Sequence, residues 1–287
     1  MAKQKYVVFT MDVEAFTDTG CVSASPEIVT QDLLDGFDEY LRILDKHEIK
    51  STLFTVASVA PKIADKLKSA IDNGHRLALH GLEHTPPLQM PLDVFKSEIQ
   101  SAKETLSNMF GTEISGYRAP FFSLDNARLD ILKELGFKYD SSNLDFQKAR
   151  HTVKLDLQDY QAYGDGIFYD KDFFEFSISK QKIFGKAFPI SGGGYVRLLN
   201  WGIVKNFIKQ YLQHSSYYVF YLHPFELTQQ KIPAIKGLKP YDSYYLQAGI
   251  RTYGKHIEQL ISMLKKMGYT FVTFEQLRET LSQKTQK

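Results

Sequence analysis

Cysteine is nearly missing from this 287-residue chain, with Cys21 its single representative. That excludes an intrachain disulfide and any zinc site built from thiolates. Tryptophan is equally scarce, and no window approaches the ~20 consecutive apolar residues of a membrane-spanning helix. The first apolar run, residues 6–10, is too short for the core of a secretory signal and leads into acids, so a soluble, cytoplasmic protein is expected. Neither sign of charge prevails, because 35 Lys+Arg face 33 Asp+Glu for a net +2. No global field is available to draw nucleic acid or an anionic membrane. Repeats, low-complexity blocks and obvious linkers are absent too, which favours one domain over residues 1–287.

What is present is ordinary material for a large core: 43% hydrophobic and 24% charged residues, with 21 Phe and 17 Tyr. Residues 6–11 (YVVFTM), 51–56, 75–79, 114–118, 137–140, 217–222 (YYVFYL) and 269–273 read as strands. Helical patterns lie between them, over a stretch capped by Thr30 and ending before Ile49, and over 60–73, 91–110, 126–135, 201–213, 253–267 and 274–282. Strands alternating with helices at short intervals point to parallel βαβ units and an α/β fold, open or barrelled. Residues 144–194 differ, being polar, aromatic and turn-rich, and read as a β-rich insertion over the mouth of such a barrel.

Chemistry collects at strand ends. Asp12 and Glu14 follow the first strand, His80 and His84 the third, and His223 the run YYVFYL. In a parallel α/β fold the carboxyl ends of the strands face one crevice, so these side chains converge. Imidazoles and a carboxylate together suit zinc and other divalent first-row ions, and histidines at i and i+4 on a helical turn can reach one ion. His47, His75, His151, His214 and His256 have no motif around them and read as surface or packing residues.

In chain order, TMDVEAF (10–16), HGLEH (80–84), GYRAPFFS (116–123), FKYDSS (137–142) and YLHPFEL (221–227) resemble the successive motifs of the polysaccharide deacetylase family, the NodB-homology or carbohydrate esterase family 4 group. That resemblance runs from the first strand to the last helix. It implies a distorted (β/α) barrel, usually of seven strands, that hydrolyses acetyl groups on sugars with one divalent metal ion. Zinc is the expected ion, with cobalt, nickel or manganese as alternatives. It further implies Asp12 as catalytic base, Glu14, His80 and His84 as metal ligands, Arg118 as the partner of the base, and His223 as the acid that protonates the leaving amine. The backbone N–H of Phe121 would assist the oxyanion, although classical members carry tyrosine at the position of Phe121 or Phe122. Asp140 would support Arg118 or the His223 side, or simply cap a helix or turn.

The first motif departs from the commonest form, Thr-Phe-Asp-Asp-Gly, since Val13 separates the two acids and the second is a glutamate. Residues i and i+2 of a strand share a face, so both acids can still reach one cleft. Which of them is the ligand stays open. This spacing and the stretch 189–202 (PISGGGYVRLLNWG) resemble a subgroup tied to surface polysaccharide and O-antigen synthesis, with Tyr195 and Arg197 as candidate contacts to sugar or phosphate. The reading is therefore a metal-dependent N-deacetylase of an acylated amino sugar in a surface glycan or its precursor. The same site suits deformylation or cyclic-amide hydrolysis, and a silent relative that only binds carbohydrate is the alternative from another class.

Overall fold

The computed structural model describes residues 4–25, 27–144, 153–183 and 186–285. Strand β1 (Lys5–Val13) is rich in β-branched and aromatic residues and is buried on both faces, as a central parallel strand must be. It is followed by β2 (Thr52–Thr55), β3 (Arg76–Leu79), β4 (Gly116–Tyr117), β5 (Tyr139–Asp140), β6 (Gln161–Gly164), β7 (Ile167–Asp170), β8 (Phe173–Phe176), β9 (Lys180–Ile183), β10 (Lys186–Pro189), β11 (Tyr217–Leu222) and β12 (Tyr269–Phe271). The main sheet runs β11-β1-β2-β3-β4-β5-β8-β7-β6, with β12 paired to the start of β1. Its first seven strands are all parallel, forming a curled sheet of the distorted (β/α) barrel type.

Helices α1 (Gly36–Lys46), α2 (Ala64–Asp72), α3 (Leu92–Phe110), α4 (Asn126–Glu134), α5 (Gly193–Leu198), α6 (Trp201–His214), α7 (Pro240–Gln247), α8 (Ile250–Lys266) and α9 (Phe274–Thr285) complete the fold. The main core packs β1 and β11 against α1, α3, α6 and α8 through residues such as Phe9, Phe37, Leu106, Ile208 and Leu260. Among the described residues no helix is long and apolar enough to cross a membrane.

Register decides where the site forms. Val13, Thr55, Leu79, Tyr117, Asp140 and Glu175 are successive pairing partners across the sheet. The residues one step beyond that row therefore include Glu14, His80, Arg118 and Ser141. On the other side Met11 pairs with Leu222, which brings the ends of β1 and β11, and with them Asp12 and His223, side by side.

Two local expectations change. The first helix is capped at Asp35 rather than Thr30, because Leu33 sits at φ 47 and packs with Phe16, Val22 and Phe225 in a separate small cluster. Within 144–194, β8 is an integral seventh parallel strand beside β5, and only β9 and β10 form a separate hairpin sheet. The tyrosine-rich stretch after Lys239 is α7, with Tyr241 and Tyr244 exposed. His151 lies outside the described residues, as do the last two residues of the chain.

Gly36 begins α1 where it meets the turn after His223, and a Cβ there would overlap the Pro224 carbonyl oxygen. Gly36→Ala is therefore expected to destabilise the protein by about 1–3 kcal/mol through overpacking, read as a lower urea midpoint.

Candidate active site

Glu14, His80 and His84 offer ligand atoms that all lie within 4.8 Å of one another, the one such group of three among the described residues. Glu14 Oε2 is 2.6 Å from His84 Nε2 and 3.6 Å from His80 Nε2. The segment 80–84 is a bend and not the helical turn expected from the i, i+4 spacing. Gly81 makes the bend possible at φ +94, where a side chain would crowd Glu83 O and Pro120. Glu83 points elsewhere and accepts a hydrogen bond from Ser58 Oγ at 2.7 Å.

Both imidazoles are oriented by backbone carbonyls. His80 Nδ1 is 2.8 Å from Arg118 O and His84 Nδ1 is 3.2 Å from Asp18 O. A neutral histidine donating from Nδ1 presents the Nε2 lone pair, which is the tautomer a metal requires. Burial would raise the Glu14 pKa, but the facing His84 and His223, with hydrogen bonds from His80 and His84, hold it well below the usual carboxylate range. The donor set of one anionic oxygen and two imidazole nitrogens fits a divalent first-row ion, which would take each Nε2 in its neutral form in place of the hydrogen bond to Glu14.

Asp12 faces the same cleft with a different partner. Its Oδ1 accepts from Arg118 Nη1 at 2.6 Å, and Arg118 is fully buried. The guanidinium also donates to Thr10 Oγ1 and to the carbonyl and hydroxyl of Ser141, and it lies 4.1 Å over the Phe54 ring. Asp140 accepts from Ser142 N and Oγ, capping the turn, and that hydroxyl in turn accepts from Ala119 N beside Arg118. Burial raises the Asp140 pKa, and burial with the Asp140 charge pushes Glu175 well above its ordinary range.

His223 closes the cleft from β11, with Nε2 3.9 Å from Glu14 Oε1 and Nδ1 3.1 Å from Glu226 Oε2. Burial lowers its pKa, but Glu14 and the Glu226 hydrogen bond prevail and raise it to about 9. A raised value keeps the imidazolium form below that pH, so His223 can deliver a proton at neutrality. Glu226 is held low despite its burial by His223 and by Arg197, whose Nε stands 3.1 Å from Oε1. Arg197 also donates to the carbonyls of Ala248 and Tyr245. Being 2% exposed and fully engaged, it supports Glu226 from within and does not present its guanidinium to a ligand.

The cleft, of about 360 Å³, is lined by Asp12, Glu14, His80, His84 and His223 together with Phe121, Tyr195, Tyr221 and Tyr245. Phe121 occupies a left-handed conformation at φ 55, ψ 17, with its ring 4.5 Å from that of His84. Tyr195 is half exposed at the rim. Of the remaining histidines, His75 accepts from Ser51 N and His256 stacks on Trp201, both away from the cleft.

Residues 4–139 match the family described as polysaccharide deacetylase. That match takes in just under half of the chain. Residues 162–278 match a domain of unknown function (DUF3473). The deacetylase segment thus contributes Asp12, Glu14, His80, His84 and Arg118, and the second segment contributes Arg197, His223 and Glu226. A peptidoglycan deacetylase of Helicobacter pylori is 26% identical over 148 residues, covering 50% of each chain. A putative polysaccharide deacetylase of Bacillus subtilis is 30% identical over 140 residues, 45% of this chain and 47% of that one. The chain spans about half the length of these curated relatives. A putative polysaccharide deacetylase structure from Mycobacterium smegmatis has the same fold at TM-score 0.63 and 20% identity, covering 99% of this chain and 93% of that one. So does a CE4 family pseudoenzyme from Bacillus anthracis, at TM-score 0.53 and 12% identity over 97% of this chain and 66% of that one.

Within this deacetylase fold, Glu226 and the inward role of Arg197 are the features that motif reading missed. An acid three residues after His223 was the available signal for the first. Nothing in the sequence pairs positions 197 and 226. Arg197→Met leaves the Glu226 carboxylate buried without its cation, so it is expected to destabilise by about 3–5 kcal/mol in urea unfolding. The double variant Arg197→Met/Glu226→Gln is expected to recover most of that loss.

Proposed function

We propose that the protein is a metal-dependent hydrolase that removes the N-acetyl group from an amino sugar of a surface polysaccharide or its precursor, and that the chain works as one catalytic domain. The observation that carries this reading is the Glu14, His80 and His84 cluster flanked by Asp12 with Arg118 on one side and His223 with Glu226 on the other. Amide hydrolysis needs a base for water and an acid for the departing nitrogen, because an amine anion is a poor leaving group. The two flanks supply that pair.

Glu14, His80 and His84 would hold the ion, with zinc the choice that best suits one carboxylate and two imidazoles. When bound, a divalent ion supplies Lewis-acid polarisation of the scissile carbonyl and eases deprotonation of water. Asp12, fixed by the buried Arg118, accepts the proton of water. His223 Nε2 donates the proton that releases the amine, and Glu226 keeps the imidazole oriented through Nδ1. Phe121 and Tyr195 would border the acetyl group and the sugar. Their positions on the cleft wall support that assignment.

Metal analysis tests the division of roles. The purified protein is expected to hold one equivalent of divalent metal, His80→Ala to lose it, and Asp12→Asn to retain it while turnover of an N-acetyl sugar falls about 10²–10⁴-fold. Loss of metal from Asp12→Asn together with retention in Glu14→Gln would reverse the two labels. A second measurement separates the acid from the rest: His223→Ala should slow amide cleavage far more than cleavage of an activated aryl ester, whose alcohol leaves without protonation. Equal losses on both substrates would remove His223 from that role.

A further inference from the structure

A groove of about 840 Å³ runs between the end of α1, the outer flank of α6 and the length of α8. It is lined by Lys46, Lys205, Lys209, Lys255 and Lys266, and none of its lining residues borders the catalytic cleft. The sole acidic side chain in the lining is Glu258, which Lys46 already engages at 2.8 Å. Lys205, Lys209, Lys255 and Lys266 make no ion pair or side-chain hydrogen bond among the described residues. Lys205 and Lys209 stand at the i, i+4 spacing, where like charges repel. The whole chain carries only +2, so this groove concentrates positive charge that the molecule otherwise balances.

The walls are well braced. The Trp201 indole donates to Gln259 and stacks on His256 with ring centroids 5.0 Å apart and planes 9° from parallel. Lys265 Nζ ties α8 to the end of α1 by donating to His47 O at 2.9 Å. Lys255 and Lys266 are separated by roughly 16 Å along the helix axis. Cations spread along a concave channel focus their field on an extended anion.

We propose that this groove binds the carboxylate or phosphate groups of a polysaccharide strand, so that the glycan served by the cleft is an acidic polymer held at a second, outlying site. The proposal rests on the glycan reading of the cleft. An extended strand suits the groove better than a bilayer does, because the apolar side chains of its lining are limited to the half-buried Met263 and Met267 and an interfacial membrane site needs exposed apolar residues beside its basic ones. A single-stranded nucleic acid suits it less, since the lining lacks an exposed aromatic platform for bases.

The test uses the full chain and polygalacturonate as the carboxylate probe, poly(glycerol phosphate) as the phosphate probe and dextran as the neutral control, with calorimetric titration at low and at physiological ionic strength. At least one acidic polymer should bind, dextran should not, and binding should weaken as salt screens the lysines. The surface variant Lys205→Glu/Lys209→Glu/Lys255→Glu should lose affinity by about tenfold or more, while turnover of a small neutral N-acetyl sugar stays at the wild-type rate. Equal affinity for dextran and the acidic polymers would overturn the proposal, as would unchanged binding by the triple variant. Equally tight, lysine-dependent binding of duplex DNA or of phosphatidylglycerol vesicles would overturn it too, by making the groove a general polyanion surface. Lysine-dependent polymer binding without any deacetylation would sink the catalytic reading and leave the groove standing. Deacetylation without polymer binding would do the reverse.

Discussion

The guanidinium of Arg118 has no route to water, and much of the site is arranged around satisfying it. It draws on Thr10 and Asp12 from β1 and on Ser141 just past β5, and it rests on the face of Phe54 from β2. A buried charge left without partners would be strongly destabilising, so these strand ends are held together by the need to neutralise and hydrogen-bond it. The same residue fixes His80 through its own backbone carbonyl. One side chain and one carbonyl thus couple the orientation of the candidate base to that of a candidate metal ligand.

A second buried arginine does the corresponding work on the opposite side. Arg197 neutralises Glu226, and Glu226 holds the imidazole of His223. The cleft is framed by two buried ion pairs, one behind each candidate proton-transferring group. Continuous pairing of the sheet brings them together, since β1 from the deacetylase segment lies directly against β11 from the second segment. Neither segment holds the complete set of groups. The candidate acid and its support come from the part of the chain that matches a domain of unknown function.

Much of this was legible in the residues. The apolar runs gave their strands because central parallel strands are buried on both faces and must be continuously hydrophobic. Asp12, Glu14, His80, Arg118 and His223 could be placed at strand ends because each follows such a run directly. The bend at His80 was not legible, since i, i+4 spacing satisfies a helix and a glycine-hinged bend equally well. β8 was hidden in a polar, aromatic stretch because four residues of strand, FFEF, are too short to declare a period. Arg197 was expected to contact sugar or phosphate, and its pairing with Glu226 was not foreseen. Hydrogen bonds between residues about 30 positions apart leave no trace in local pattern.

The sequence by itself determined the element order, the alternation that makes the sheet parallel, and the chemical types available at its carboxyl edge. These follow from local propensity and burial, which act over a few residues at a time. Only the tertiary structure decided which carboxylate faces the histidines and which faces Arg118, and that Arg197 turns inward to Glu226 while Tyr195 stays at the rim. Those choices depend on strand register and on the expense of burying unpaired charge, which exist only once distant segments are packed together.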